Sequence, residues 1–356
     1  MSVRNRILGL CVTTALAAGT VLTAATISAP AARAESKVLK LHTFGSPRQP
    51  ETKWIFEPLN ADFKKDSNGT LSFQTYYGMA LGGKARDLIA QAENGVVDMS
   101  YTLPAYTAGR FPILTAVELP FLGGTNVTTT GEGMSQVAWE WCHKYAMGEL
   151  KKLKLITLNA IDAGVLHTTK TAVRKMSDLK GLKIRVAGRY IGMTVEALGG
   201  VPVQMPLPAV YESLARGQTQ GMMIPWMITV PFKLSEVTHY HTDVPIYHSL
   251  LIIVMNKNSW NKLDAVQKKA VEMSTGESYS KRYGKLWDEG AEPGRAMARK
   301  DKGVFIHLSA AEEARWRNAA DAAHSAWIED MNKRGLDGKK MFADLTALVQ
   351  KYNPKK

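Results

Sequence analysis

The side chains with the most chemical potential in this 356-residue sequence are one arginine and a small group of histidines. Arg185 stands in the run Leu179-Lys-Gly-Leu-Lys-Ile-Arg185-Val-Ala-Gly-Arg189-Tyr190, inside a segment, residues 182–186, that reads as a strand. On a pleated strand Arg185 shares a face with Lys183, while Ile184 and Val186 face the other way. An arginine at a strand end can hold a carboxylate through two parallel hydrogen bonds, a geometry lysine does not reproduce. The same residue also serves as an ordinary solvated cation, and composition by itself favours that role, because charged side chains are mostly exposed. His239-Tyr-His241 could set two imidazoles on one strand face, with His248 nearby. Without cysteine or acidic ligands at metal-site spacing they read as a solvated loop, and no metal is expected.

Other chemistry leaves no mark. The sequence has no nucleophile elbow, phosphate-cradling glycine loop, dinucleotide fingerprint or zinc-binding helix motif. Gly123-Gly124 and Gly199-Gly200 read as turns. Cys142 lies in a Trp-rich helical stretch (Trp139, Trp141) and reads as a buried apolar residue. No catalytic group and no cofactor are expected, so the chain does not read as an enzyme.

The elements that would carry these residues alternate between strand and helix, which argues an α/β fold. Strands are expected at residues 38–43, 70–76, 96–102 and 153–158, with helices at 51–65, 84–94 and 131–151 between them. The rhythm restarts with strands at 182–186, 201–205 and 221–224 and helices at 190–198 and 209–216. Asn94-Gly95 and Arg216-Gly217 close corresponding helices, each with a glycine able to take the left-handed conformation. A buried strand follows at 250–255, then a long helical stretch over 264–302, broken near Pro293-Gly294. Ser309 with Glu312 forms a capping box, and a further helix covers 339–352.

The N-terminus reads as an export signal: Arg4 and Arg6, an uncharged apolar stretch over 7–27, and the small-x-small pattern Ala32-Arg33-Ala34. Cleavage after Ala34 would take three of the thirteen net positive charges with it. The remaining length suggests two domains. No later segment approaches the roughly 20 apolar residues of a membrane span. Lys and Arg are interleaved with Asp and Glu, and no basic-aromatic stripe appears, which argues against a nucleic-acid partner. A modest positive field favours anionic small molecules.

Several blocks in fixed order resemble the solute receptors of tripartite ATP-independent periplasmic (TRAP) transporters, the C4-dicarboxylate-receptor-like family. They are Leu88-Ile-Ala-Gln-Ala-Glu-Asn-Gly-Val-Val-Asp98, Glu118-Leu-Pro-Phe121, Asp178-Leu-Lys-Gly-Leu-Lys-Ile-Arg185-Val, Ala197-Leu-Gly-Gly-Val-Pro-Val-Gln-Met-Pro206, Val210-Tyr-Glu-Ser-Leu-Ala-Arg-Gly217 and Gly221-Met-Met-Ile-Pro225-Trp226. The resemblance runs from Leu39 to about Phe305. It implies a two-lobed periplasmic-binding-protein (clamshell) fold with a long connecting helix. Lobe I would comprise residues 35–160 and 250–290, and lobe II residues 161–249 and 291–308, with C-terminal helices over 309–356 packing across both. It implies a small organic acid as ligand (a dicarboxylate, aromatic, keto or hydroxy acid), TRAP membrane subunits as partners, a periplasmic location and action as a monomer. The alternatives are a receptor of another importer class and a cell-envelope enzyme acting on small carboxylates.

The resemblance makes Arg185 the main carboxylate ligand. Phe44, Tyr101 or Thr102, Leu207, Ile224 and Trp226 map to pocket positions. Relatives that bind sialic acid carry a second arginine about twenty residues before the main one; that place falls near Val165, which argues against sialic acid. Some members have an asparagine where Ile224 stands, so this pocket is more apolar. Arg189 is either a second cation for a distal carboxylate or a surface residue. His167 either faces the cleft or is a satisfied structural histidine.

Overall fold

Two β-sheets, linked by short crossings, organise the chain. The computed structural model describes residues 35–355 apart from 108 and 126; the expected signal segment, residues 1–34, lies outside the described residues. In chain order the strands are β1 (Lys37–Thr43), β2 (Leu71–Tyr76), β3 (Met99–Thr102), β4 (Leu153–Ala160), β5 (Gly164–Thr168), β6 (Lys183–Val186), β7 (Val201–Gln204), β8 (Gly221–Pro225), β9 (Tyr240–Tyr247), β10 (Leu250–Asn256) and β11 (Val304–Ile306). The first sheet has the order β2-β1-β3-β10-β4 and the second β11-β9-β5-β8-β6-β7. In each sheet three neighbouring strands pair in parallel (β1, β2, β3 and β6, β7, β8); β10 and β5 pair antiparallel with the strands on either side of them, and β11 pairs in parallel with β9 at the edge of the second sheet.

Helices cover the sheets as the parallel crossovers require. They are α1 (Glu57–Asp66), α2 (Leu88–Glu93), α3 (Gly131–Trp141), α4 (Arg189–Ala197), α5 (Val210–Ala215), α6 (Trp226–Thr229), α7 (Lys257–Asn261), α8 (Ala265–Met273), α9 (Glu277–Glu289), α10 (Ala291–Lys300), α11 (Ala310–Lys333) and α12 (Gly338–Tyr352). The two glycine-closed helices end alike. Gly95 (φ 72°) and Gly217 (φ 68°) are left-handed. The next amides, of Val96 and Gln218, return to the carbonyls of Gln91 and Ser213 at 2.9 and 2.8 Å. β10 is buried along its whole length between β3 and β4. That explains its unbroken apolar run, since a central strand covered on both faces needs no alternation.

The chain passes between the sheets after β4, at residues 161–163, and after β9, at His248 and Ser249. These crossings are tied together: the Ile161 amide donates to the Ser249 carbonyl (3.1 Å), and His248 Nδ1 lies 2.7 Å from the Ile161 carbonyl. The third passage is helical, and here the break expected near Pro293-Gly294 within the stretch 264–302 is corrected. The stretch consists of α8, α9 and α10, interrupted at 274–276, where Gly276 has φ 103°, and again at Gly290. α9 packs on α3 and β4, whereas α10 packs on α6, so the second break falls where the chain changes sheets. Pro293 lies in the first turn of α10, where its missing amide costs no intrahelical bond.

Three strands escaped the pattern analysis: β5, β9 and β11. β9 contains Asp243 and Pro245, so its periodicity is interrupted. The solvated loop expected around His239-Tyr-His241 is therefore corrected: His241 is a buried residue of β9. Half of the capping box expected at the head of α11 is formed: Ser309 Oγ accepts from the Glu312 amide at 3.2 Å. The Glu312 carboxylate in turn accepts from the Met176 amide (2.6 Å). α11 packs on α4 and α12 on α3.

α3 and α9 approach most closely at Gly131 and Gly284; a Cβ at residue 284 would lie 2.2 Å from the Gly131 carbonyl oxygen. Backbone cannot yield as a flexible side chain would, so Gly284→Ala should destabilise the fold by about 1–3 kcal/mol, read from urea unfolding midpoints. His248 is buried at the crossing, and burial pushes its imidazole down to about 4. A depressed histidine contributes stability above its unfolded pKa of about 6.5 that is lost as pH falls toward 4. Any stability advantage of the native chain over His248→Gln should therefore shrink over that interval, by at most about 1.4 kcal/mol per pH unit. Parallel unfolding curves for the two proteins from pH 7 to pH 4.5 would reveal a pH-independent difference if this is incorrect.

Candidate functional site

Parallel strands in open sheets leave a crevice at their carboxyl ends, where successive loops diverge. Here both sheets turn those ends toward one cavity. Phe44 follows β1 and Leu103 follows β3; Ala187 follows β6, Leu207 lies beyond β7, and Ile224 and Pro225 end β8. The crossings supply Ile161 and Ser249, with Tyr247 and Leu251 beside them. The space open to the centre of a water molecule is about 30 Å³. The lining is mainly apolar; its ionisable members are Arg185, Glu51, Tyr106 and Tyr247.

Arg185 is 2% exposed. Its position in the sheet explains this: β6 lies between β7 and β8, with Arg185 opposite Val203 and Met222. Lys183, two residues earlier on the same face, is exposed, because only the carboxyl end of the strand reaches the cavity. Arg185 Nε donates to the Met205 carbonyl at 3.0 Å and Nη1 to the Met223 carbonyl at 3.5 Å. Both partners are backbone carbonyls and neither is an acid. The Tyr106 hydroxyl accepts from the Leu207 amide (3.1 Å) and stands beside the guanidinium. Burial raises the Tyr106 pKa despite the opposing pull of Arg185, so the phenol stays neutral. The result is a cation held in a rigid, partly satisfied cradle within apolar walls, a geometry suited to a small anion.

Of the residues singled out by sequence, Arg185, Phe44, Leu207 and Ile224 come together at this cavity. Five others lie elsewhere. Tyr101 packs edge-on against Phe56 at 4.9 Å, and the Thr102 hydroxyl is 3.5 Å from the Ala85 carbonyl; Leu103, just past the strand end, takes the cavity position instead. Trp226 stacks on Phe305 (5.2 Å, 13°) and donates from Nε1 to Asp243 (2.7 Å), which also pairs with Arg295 of α10. Pro225 faces the cavity and the next residue turns away from it. His167 lies edge-on to Trp226 at 4.6 Å. Its Nδ1 is 2.8 Å from Nδ1 of His241, and its Nε2 is 3.2 Å from the Ile224 carbonyl. Both contacts are satisfied when His241 donates from Nδ1 and His167 from Nε2. Burial pushes the His167 pKa well down and His241 to about 4, so this is a neutral structural pair. Arg189 reaches Asp330 of α11 (3.4 Å) from a partly exposed position at the head of α4.

Glu51 and Tyr106 were missed. Glu51 read as the first residue of a helix, where acids are common for dipole reasons alone. Tyr106 lies in the short turn Pro104–Tyr106, which has no periodicity to betray it. Glu51 is 5% exposed, and burial pushes its carboxyl up to about 7. Among the described residues there is no His, Cys, Asp and Glu grouping that could hold a metal, and no helix long and apolar enough to cross a membrane.

Comparison with known proteins agrees with this architecture. Residues 41–330 match the family model described as bacterial extracellular solute-binding protein, family 7. The chain is similar to a TRAP solute-binding protein from a marine metagenome, described as specific for aromatic acid ligands and solved with 3-hydroxybenzoate. The identity is 33% and the TM-score 0.85, with 90% of this chain and 99% of that one covered. It is similar to a TRAP solute-binding protein of Rhodoferax ferrireducens T118 that copurified with benzoate, at 33% identity and TM-score 0.85 over 89% and 98% of the two chains. It also resembles the C4-dicarboxylate-binding periplasmic protein DctP of Rhodobacter capsulatus, 26% identical over 91% of this chain and 94% of that one. The order of strands, the crevice at their carboxyl ends and the match over most of the chain lead to one conclusion: this protein belongs to bacterial extracellular solute-binding protein family 7, the solute receptors of TRAP transporters.

Proposed function

We propose that this protein is a periplasmic receptor for a flat aromatic monocarboxylate, which it delivers unchanged to TRAP membrane subunits. The observation that carries the proposal is Arg185, a buried guanidinium with carbonyl and phenol neighbours, facing a narrow apolar slot. The carboxylate would meet the free edge of the guanidinium. Phe44, Leu207, Ile224 and Leu103 would cover the body of the ligand. The small, mainly apolar cavity suits a ring better than a sugar acid, whose many hydroxyls would find few partners there. The benzoate and 3-hydroxybenzoate bound by relatives about one-third identical support this ligand class.

The lobes we propose are residues 35–160 with 250–290 and residues 161–249 with 291–308, bridged by the C-terminal helices. Phe44 and Leu103 come from the first and Arg185 and Leu207 from the second, so a ligand touching both favours the closed arrangement. The membrane subunits would read that arrangement. We further propose export by a signal ending at Ala34, action as a monomer and no catalytic turnover. The match to a family of solute-binding proteins supports a binding role.

Arg185→Ala should weaken benzoate binding by about 2–5 kcal/mol, the range for removing one partner of a buried charge pair. Arg185→Lys should recover only part of this, because an ammonium lacks the two-pronged geometry. Calorimetric titration of purified protein checks both; unchanged affinity in Arg185→Ala would refute the assignment.

A further inference from the structure

Among the ionisable groups on the cavity wall, Glu51 can change charge near neutral pH, and nothing above uses it. It stands just before the helical turn Thr52–Phe56 that leads into α1, on the side of the first sheet, whereas Arg185 belongs to the second. Its Oε2 is buried with no hydrogen-bond partner. No ion pair joins it to Arg185, whose hydrogen bonds go to carbonyls. The other polar groups of the cavity are engaged: the Tyr106 hydroxyl by the Leu207 amide and Arg185, and the Tyr247 hydroxyl by Ser249. A buried acceptor left without a donor is costly, so one on a cavity wall gains from any ligand that brings a donor.

Resting on the reading of the protein as an aromatic-carboxylate receptor, we propose that Glu51 is a specificity-determining residue that accepts a hydrogen bond from a hydroxyl on the ligand ring, so that the preferred ligand is a hydroxylated aromatic acid rather than an unsubstituted one. Arg185 fixes the carboxylate, and Glu51 recognises a donor carried elsewhere on the ring. A site that presents a charged acceptor discriminates strongly against an analogue lacking the donor, because binding that analogue leaves the acceptor buried and unpaired.

The test compares benzoate with the three hydroxybenzoate isomers by calorimetry, using the native protein, Glu51→Gln and Glu51→Leu. At pH 8 at least one isomer should bind native protein roughly tenfold or more tighter than benzoate, the scale of one charge-assisted hydrogen bond. Glu51→Leu should abolish or reverse that preference. A second readout needs no variant. The hydroxylated acid is bound by ionised Glu51, so its affinity relative to benzoate should rise as pH passes through about 7. Benzoate, which offers only a C–H edge, should weaken over the same interval. Tyr101 faces Glu51 from β3, and Tyr106, Tyr247 and Arg185 face it from the cavity wall; burial raises all three tyrosines. Glu118, raised to about 8, and Asp162 lie behind Tyr247. They act on both ligands alike, so the difference between the two pH curves isolates Glu51, and Glu51→Gln should flatten it. If benzoate binds through Arg185 but hydroxylation changes nothing, or the preference survives in Glu51→Leu, the role of Glu51 is overturned and the receptor reading stands. If no aromatic carboxylate binds at any pH, both fall.

Discussion

A buried guanidinium without an acid beside it governs the construction of this molecule. Removing such a charge from water costs several kcal/mol, and neutral partners offset only part of that. Arg185 is nevertheless held in place by carbonyls from the chain after β7 and within β8, with the Tyr106 phenol alongside. The remaining electrostatic deficit is the driving force available to an arriving anion. Supplying the missing charge from a side chain would stabilise the fold and remove the reason to bind.

The rest of the architecture keeps that deficit addressable. Both sheets point the carboxyl ends of their parallel strands at the same space, so residues far apart in sequence line one slot. The strand crossings at Ile161 and His248–Ser249 are bonded to each other and also line or adjoin the slot. Contact with a ligand there is contact with the passage between the sheets. α9 and α10 break at Gly290 as the chain changes sheets, and a Cβ on that glycine would lie 2.5 Å from the Met227 side chain.

Aromatic chemistry that resembles a binding site does structural work on the far side of β8. Trp226, His167, His241 and Phe305 pack together, with Asp243 and Arg295 satisfying the indole and closing the cluster. Two imidazoles in contact can share hydrogen bonds only in matched tautomers, and burial keeps both neutral. The cluster braces the strand whose end, Ile224 and Pro225, forms the cavity wall.

The sequence by itself determined the alternation of strands and helices, the glycine ends at Gly95 and Gly217, the cap at Ser309 and the family blocks that make Arg185 the principal anion ligand. Those features are local: each depends on periodicity, on a left-handed backbone or on a contiguous motif. Tertiary structure alone decided which neighbours of those motifs face the cavity. Trp226 and Pro225 are adjacent, yet one turns to α10 and the other to the slot. Tyr101 and Thr102 lie on the expected strand, but the strand stops one residue short of the cavity and Leu103 takes the place. Glu51 read as a helix-start acid, and only the first sheet folding over it leaves one of its oxygens buried without a partner. Which side of an element meets solvent, core or ligand is a property of what packs against it, and that information is distributed across the whole chain.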